Sequence, residues 1–163
     1  MFAQNKSSAG PRRTGYNRPV PTRLRMGLVM RRDMAFGELG DVEGALRAKG
    51  VGLAPISTGD ASLIAGGVTV LATATAKDIA EGRLKGLVVP GGSTDEASLA
   101  AVRSLIDLAR ANGLTVIAFA DGVALAADSF GVSANAEGAV FEDGGVTLLN
   151  DRAELSKLVG AIV

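Results

Sequence analysis

Asp121 is the side chain best placed for chemistry in this sequence, because it follows an apolar run, residues 115–120, that is typical of a buried strand. A carboxylate at the carboxyl end of such a strand can act as a general base, a metal ligand or a nucleophile. A nucleophilic role calls for a second carboxylate two residues later, where the sequence has Val123. A metal site would depend on Asp33 or Glu38 as partners. The simpler interpretation, which we favour, is that Asp121 caps the helix that follows it.

Two adjacent glycines, Gly91 and Gly92, end another apolar run at residues 87–90. Backbone N–H groups between a strand and a helix N-terminus can bind a phosphate or a carboxylate. However, Ser93 and Glu96 have the spacing of a capping box, and acidic residues in the first turn repel an incoming anion. Capping is therefore favoured over anion binding, and both glycines remain ligand-binding candidates.

The composition excludes several kinds of chemistry. The chain has 163 residues and contains neither cysteine nor histidine. Thiolate nucleophiles, imidazole bases, disulfides, zinc fingers and the Ser-His-Asp and Cys-His pairs are therefore excluded. We expect no cofactor and no bound metal.

The N-terminal segment, residues 1–24, differs in charge from the remainder. Residues 1–25 hold six of the 17 basic residues and no acidic one, which leaves 11 basic against 17 acidic residues beyond them. Three prolines and no apolar periodicity predict an arm that is disordered in isolation. The candidate partner-binding residues of this arm are Arg12, Arg13, Tyr16, Arg18 and Arg23.

Three roles for the arm remain open: an extension across a partner subunit, a contact with a phosphate-rich polymer, and a solvated tail. Nucleic-acid binding is disfavoured because Tyr16 is the one aromatic residue placed among the basic ones, which is thin for base stacking. The segment has no apolar core of the kind found in secretory signals, and its prolines oppose the amphipathic helix of a transit peptide. We therefore expect a cytoplasmic protein with no membrane association.

The remainder of the chain, residues 25–163, alternates strand and helix patterns. Strands are predicted at 24–30, 51–56, 87–90 and 115–120, a hairpin at 62–65 and 68–71, two further strands at 140–141 and 146–149, and helices at 38–49, 93–111, 123–130 and 153–162. This alternation favours one α/β domain with a mostly parallel sheet covered on both faces. Ligands of such sheets lie beyond the carboxyl ends of the strands, here at residues 31–37, 90–92 and 120–122.

Two segments at those strand ends, LVVPGG at 87–92 and TVIAFADGVALA at 115–126, resemble the ThiJ/PfpI family of the class I glutamine-amidotransferase-like superfamily. The resemblance extends over residues 25–163 and implies a flavodoxin-like three-layer sandwich. In the family, the second segment consists of a strand, a nucleophilic cysteine on a sharp elbow, often a histidine, then glycine and a short helix. The positions of the cysteine and the histidine fall on Ala120 and Asp121, so the resemblance implies that the usual covalent chemistry is lost.

Further likenesses concern an acidic residue and a domain of another enzyme. Active relatives carry an acid after the first strand that hydrogen-bonds the cysteine, and gapless alignment from Gly50 places Ala35 there rather than Glu38. Residues 45–51 and 136–145 are also similar to the C-terminal domain of large-subunit catalases, which lacks the nucleophile and resembles a stability or assembly module.

The sequence thus favours a non-enzymatic scaffold or accessory subunit, a homo-oligomer or the companion of a larger protein, with the arm reaching across the interface. The alternative is a small-molecule-binding protein or thiol-independent hydrolase. Its crevice would be lined by Asp121, Gly91 and Gly92, with Glu38 as a further ligand-binding candidate.

Overall fold

The computed structural model describes residues 24–31, 34, 36–59, 62–65, 68–92, 96–134, 136–142 and 145–148. The arm as far as residue 23, including its five candidate partner-binding residues, lies outside the described residues, as do Asp33, Ser93 and the helix predicted at 153–162. Leu24, assigned to the end of the arm, is the first residue of a strand.

The described elements follow one another as strands and helices in alternation. They are β1 (Leu24–Val29), α1 (Phe36–Ala48), β2 (Val51–Ile56), β3 (Ser62–Ala65), β4 (Val68–Leu71), α2 (Ala76–Ala80), β5 (Gly86–Val89), α3 (Glu96–Ala111), β6 (Thr115–Phe119), α4 (Asp121–Phe130), β7 (Gly138–Glu142) and β8 (Gly145–Leu148).

Six strands form the central sheet in the order β2-β1-β5-β6-β7-β8. The first four are parallel, with Leu28 opposite Val88 and Val88 opposite Ile117, whereas β7 and β8 join in antiparallel pairs. The mostly parallel sheet predicted from the alternation is therefore confirmed. The carboxyl ends of β1, β5 and β6, three neighbouring strands, meet at one edge.

Apolar clusters cover both faces of the sheet. Val89 and Val116 point toward α3, where Val102 and Ile106 are fully buried. Their chain neighbours Val88 and Ile117 point to the opposite face, which is covered by Val42 and Leu46 of α1. The described part of the chain is thus a three-layer α/β sandwich, and the uninterrupted apolar sequences of β5 and β6 follow from burial on both faces.

The short helix α2 was missed in the sequence analysis, which predicted no element between the hairpin, ending at residue 71, and the strand beginning at residue 87. Its first turn is held by Asp78, whose carboxylate accepts a hydrogen bond from the N–H of Thr75 at 2.8 Å. The guanidinium of Arg83 at 2.8 Å and this N–H both lower the pKa of Asp78. A threonine followed three residues later by an acid is the signal that would have located this helix.

The predicted hairpin is confirmed as β3 and β4, which form a two-stranded antiparallel sheet of their own. On the inner face of this hairpin, Val70 packs against the apolar cluster that lies between the central sheet and α1. Among the described helices, none is both long and apolar enough to cross a membrane.

Candidate functional site

The backbone at Ala120, between β6 and α4, adopts φ 51° and ψ −126°. Among the described residues it is the only non-glycine residue with a positive φ. Its N–H donates to the carbonyl of Glu137 at 2.9 Å, and its carbonyl accepts from the N–H of Val123 at 3.1 Å. Such a conformation costs an L-residue about 1–3 kcal/mol and persists only where its surroundings impose it. The sharp elbow implied by the resemblance is present, with a methyl group in place of a reactive side chain.

Two glycines allow the close packing around this elbow. A Cβ atom on Gly91 would lie 2.7 Å from the Cβ of Ala120, and one on Gly122 would lie 2.8 Å from the carbonyl oxygen of Val89. Real Cβ atoms do not approach other heavy atoms so closely, so a side chain at either position would force its surroundings to shift. Close approach of the elbow to the end of β5 is thus one structural reason for these glycines.

Asp121 does not cap α4. Its Oδ1 atom accepts a hydrogen bond from Nη1 of Arg31 at 2.8 Å and another from the N–H of Gly92 at 3.2 Å. The N-cap residue is Ala120, and α4 begins at Asp121, two residues before the predicted start. The capping prediction was wrong because the guanidinium of Arg31, which follows β1, and the N–H of Gly92, which follows β5, both reach the carboxylate. This contact depends on the order of the strands in the sheet.

Arg31 follows β1 and is the buried polar residue of the described core. Its side chain is 0% exposed, whereas that of Asp121 is 36% exposed. Nη1 of Arg31 also donates to the carbonyl of Pro90 at 3.0 Å. We call Arg31, Pro90, Gly92 and Asp121 the strand-end clasp, since they link the ends of β1, β5 and β6.

The strand-end clasp occupies polar groups that could otherwise bind a ligand in the crevice. The N–H of Gly92, a predicted anion-binding donor, is directed at the carboxylate of Asp121. Glu38 belongs to α1, and the position of its side chain is not described. Among the described residues, no three acidic side chains converge as a metal site would require. The structure therefore brings together Gly91, Gly92, Ala120 and Asp121 of the predicted set.

The clasp residue that sequence reasoning missed is Arg31. It stood at the start of the loop 31–37 that was expected to border the site, but no role was assigned to it. The available signal was a basic residue directly after one predicted strand and an acidic residue directly after another. In a parallel sheet these ends share an edge, so the opposite charges could have been paired.

We expect Ala120→Gly to raise the free energy of unfolding by about 1 kcal/mol, since relief of the positive φ outweighs the added entropy of the unfolded chain. The matched control is Ala100→Gly on the exposed face of α3, which should lower stability by about 1 kcal/mol. Chemical denaturation of both variants measures the difference. Equal losses at the two sites would contradict a strained elbow.

The comparisons with known proteins concern the fold. No protein-family model matches the sequence, and no curated protein does. Solved structures do match: a protease I candidate from Bacteroides thetaiotaomicron has a TM-score of 0.66 and 11% identity, covering 86% of this chain and 99% of that one. Oxidised DJ-1 from Toxoplasma gondii has a TM-score of 0.54 and 13% identity, over 83% and 86% of the two chains.

The DJ-1 superfamily protein Atu0886 from Agrobacterium tumefaciens has a TM-score of 0.57 and 19% identity over 65% of this chain. The match spans 58% of the Agrobacterium protein, which is less than two thirds of its length. At these identities the likenesses establish the fold. The flavodoxin-like sandwich of DJ-1 and ThiJ/PfpI proteins, expected from two short segments, is thereby confirmed.

Proposed function

We propose that this chain is a non-enzymatic scaffold or accessory subunit with a DJ-1-type fold, which acts through self-association or by docking a larger protein. One observation carries the proposal: at the strand ends, the elbow presents the methyl group of Ala120, and the adjacent carboxylate is engaged by Arg31 and Gly92. The elbow has no nucleophile, and the polar groups beside it, Asp121 and the Gly92 N–H, are hydrogen-bonded within the protein. Both features argue against covalent catalysis at the elbow.

Engagement of Asp121 bears directly on its chemistry. A general base needs its oxygen within hydrogen-bond reach of the proton that it removes. Here Oδ1 lies 2.8 Å from a guanidinium whose side chain is fully buried, an arrangement that holds a carboxylate in a fixed orientation. The pair therefore resembles a structural ion pair more than a catalytic one.

The charge distribution supports assembly. Residues 1–25 are basic, whereas the remainder of the chain has an acidic balance. The arm of one copy and the acidic surface of another are therefore complementary, which favours association between copies or with an acidic partner. Cytoplasmic location stays a prediction, and fractionation of the host cell tests it.

Light scattering on the full chain and on a chain shortened to begin at Leu24 tests the proposal. We expect the full chain to be oligomeric, or to capture a companion protein, and the shortened chain to lose this association while keeping its circular dichroism spectrum. If both are monomers that capture nothing, the scaffold proposal is wrong.

The alternative, a ligand-binding protein or thiol-independent hydrolase, is favoured by one observation: 36% of the Asp121 side chain remains exposed at the crevice. Asp121→Asn keeps the shape of the side chain and removes its charge. We test both chains with a panel of small esters, amides and carboxylates, by thermal shift and for hydrolysis. The scaffold proposal predicts the same result for the variant and for the original chain. A ligand or substrate that depends on Asp121 would establish the alternative instead.

A further inference from the structure

The C-terminus of α3 is followed by the pair Asn112–Gly113, a sequence that favours spontaneous loss of the asparagine side-chain nitrogen. Asn112 is the only asparagine of the chain that precedes a glycine. Glycine carries no side chain to hinder attack by its backbone nitrogen, and asparagine is a thermally labile residue. Both residues of the pair are exposed to water. The local sequence therefore favours deamidation at this position.

The backbone that ends α3 opposes this reaction. The N–H of Gly113 donates to the carbonyl of Arg110 at 3.0 Å, and the N–H of Leu114 donates to the carbonyl of Ala109 at 2.9 Å. Gly113 has φ +71°, the left-handed conformation that completes a Schellman motif. We call residues 108–114 the α3 cap. Within this cap the nitrogen that would attack is engaged in a hydrogen bond.

The side chain that would be attacked is held as well. Nδ2 of Asn112 donates to the carbonyl of Leu108 at 2.8 Å. The amide group is thus directed back along the helix, whereas the N–H of Gly113 is directed at Arg110. Because both reacting groups have other hydrogen-bond partners, the α3 cap must open before they can meet.

We propose that Asn112 is a site of deamidation, and that opening of the α3 cap, not unfolding of the whole domain, controls its rate. Residues 111–113 are exposed, and hydrogen bonds at an exposed helix end open at a lower free-energy cost than those of a core. Leu114 is partly buried and packs against the apolar cluster between α3 and the sheet, which opposes this opening.

The covalent step requires only water and hydroxide. Hydroxide removes the proton from the backbone nitrogen of Gly113, and this nitrogen attacks Cγ of Asn112. A bond from nitrogen to Cγ forms, the bond from Cγ to Nδ2 breaks, and Nδ2 takes a proton from water and leaves as ammonia. Water then opens the cyclic imide at either carbonyl, which gives aspartate or isoaspartate at position 112. No electron donor or acceptor takes part, and the rate rises with pH.

Either product weakens the α3 cap. A carboxylate cannot donate to the carbonyl of Leu108, and a negative charge at the C-terminus of a helix opposes the helix dipole. Isoaspartate also lengthens the main chain between α3 and β6. The first residue of β6, Thr115, pairs with Gly86 in the central sheet, so the modification loosens the connection to a central strand.

Peptide mapping by mass spectrometry, on the full chain incubated at mildly alkaline pH, tests this inference. We expect conversion of Asn112 to be at least about tenfold slower than in the same chain unfolded in guanidinium chloride, because the cap must open first. Asn112→Gln keeps the amide and makes ring closure harder. This variant should stay unmodified at position 112 while the original chain is converted.

Two leucine substitutions distinguish opening of the cap from unfolding of the domain. Leu114 and Leu99 are both partly buried and pack against the same cluster, but Leu99 lies in the first turns of α3, away from the cap. We expect Leu114→Ala to speed deamidation at least about threefold, and the matched control Leu99→Ala to leave the rate unchanged. Thermal unfolding verifies that both variants are folded.

Hydrogen exchange provides a second measurement that needs no variant. If one opening event controls both processes, protection of the Gly113 N–H from exchange should equal the slowing of deamidation to within about threefold. This comparison decides the matter if Leu114→Ala fails to fold.

Acceleration by Leu114→Ala alone, or agreement between exchange and deamidation, supports the proposal. Equal acceleration by both leucine variants shows that the reaction passes through global unfolding and overturns control by the cap. A folded chain in which Asn112 reacts as fast as in the unfolded chain also overturns it. So does a folded chain in which Asn112 stays intact even with Leu114→Ala.

Discussion

Replacing Asp121 by alanine is expected to lower the free energy of unfolding by about 3 kcal/mol. This value is at the lower end of the losses for a broken buried ion pair, because the carboxylate is partly exposed. The substitution leaves the buried guanidinium of Arg31 without the carboxylate oxygen at 2.8 Å. It also removes the acceptor of the Gly92 N–H. Urea denaturation measures the loss, and Asp128→Ala, at an exposed acid of the same helix, is the control that should change stability little.

The two partners of the clasp should differ in their effects. Arg31→Met leaves a carboxylate that water can reach, so we expect a smaller loss than for Asp121→Ala, which removes a carboxylate from beside a buried cation. The double variant Arg31→Met/Asp121→Ala should then be more stable than Asp121→Ala alone. Losses that simply add in the double variant would show that the pair contributes nothing as a pair.

Replacing Gly122 by alanine is expected to lower the free energy of unfolding by about 2 kcal/mol, within the range for overpacked sites. The new Cβ would lie 2.8 Å from the carbonyl oxygen of Val89 and 2.9 Å from its Cγ1 atom. The backbone oxygen belongs to a buried strand and cannot withdraw, so α4 must shift away from β5.

Gly44→Ala is the matched control for this substitution. Gly44 lies in α1, and a Cβ there meets nothing within 4 Å. Alanine should therefore raise stability by about 1 kcal/mol through its greater helix propensity. Thermal unfolding of the two variants should move in opposite directions, and a gain at Gly122 would show that the elbow has room to spare.

Much of the fold could be read from the sequence because local patterns determine it. The hairpin was located to the residue, since two short apolar runs flank a pair of glycines. Gly50 ends α1 with φ +75°, as expected from its position after the helical pattern. The short helix α2 was missed because five residues carry too little periodicity, so only its capping signal could have revealed it.

The candidate site was predictable in position but not in detail. Asp121, Gly91 and Gly92 were placed at the strand ends correctly, because parallel strands bring those ends to one edge. The role of Asp121 was assigned wrongly, since capping is a local interaction, whereas its partner Arg31 follows another strand, β1. Which arginine reaches it depends on the order of β1, β5 and β6, and that order is a tertiary property.

The strand-end clasp also affects how quickly the fold is gained and lost. Arg31 and Asp121 are separated by 90 residues in the chain, so the contact forms only after three strands have been aligned. An interaction that forms after the folding transition state contributes little to the rate of folding and slows unfolding instead. We therefore expect the clasp to slow unfolding of the assembled sheet more than it speeds folding.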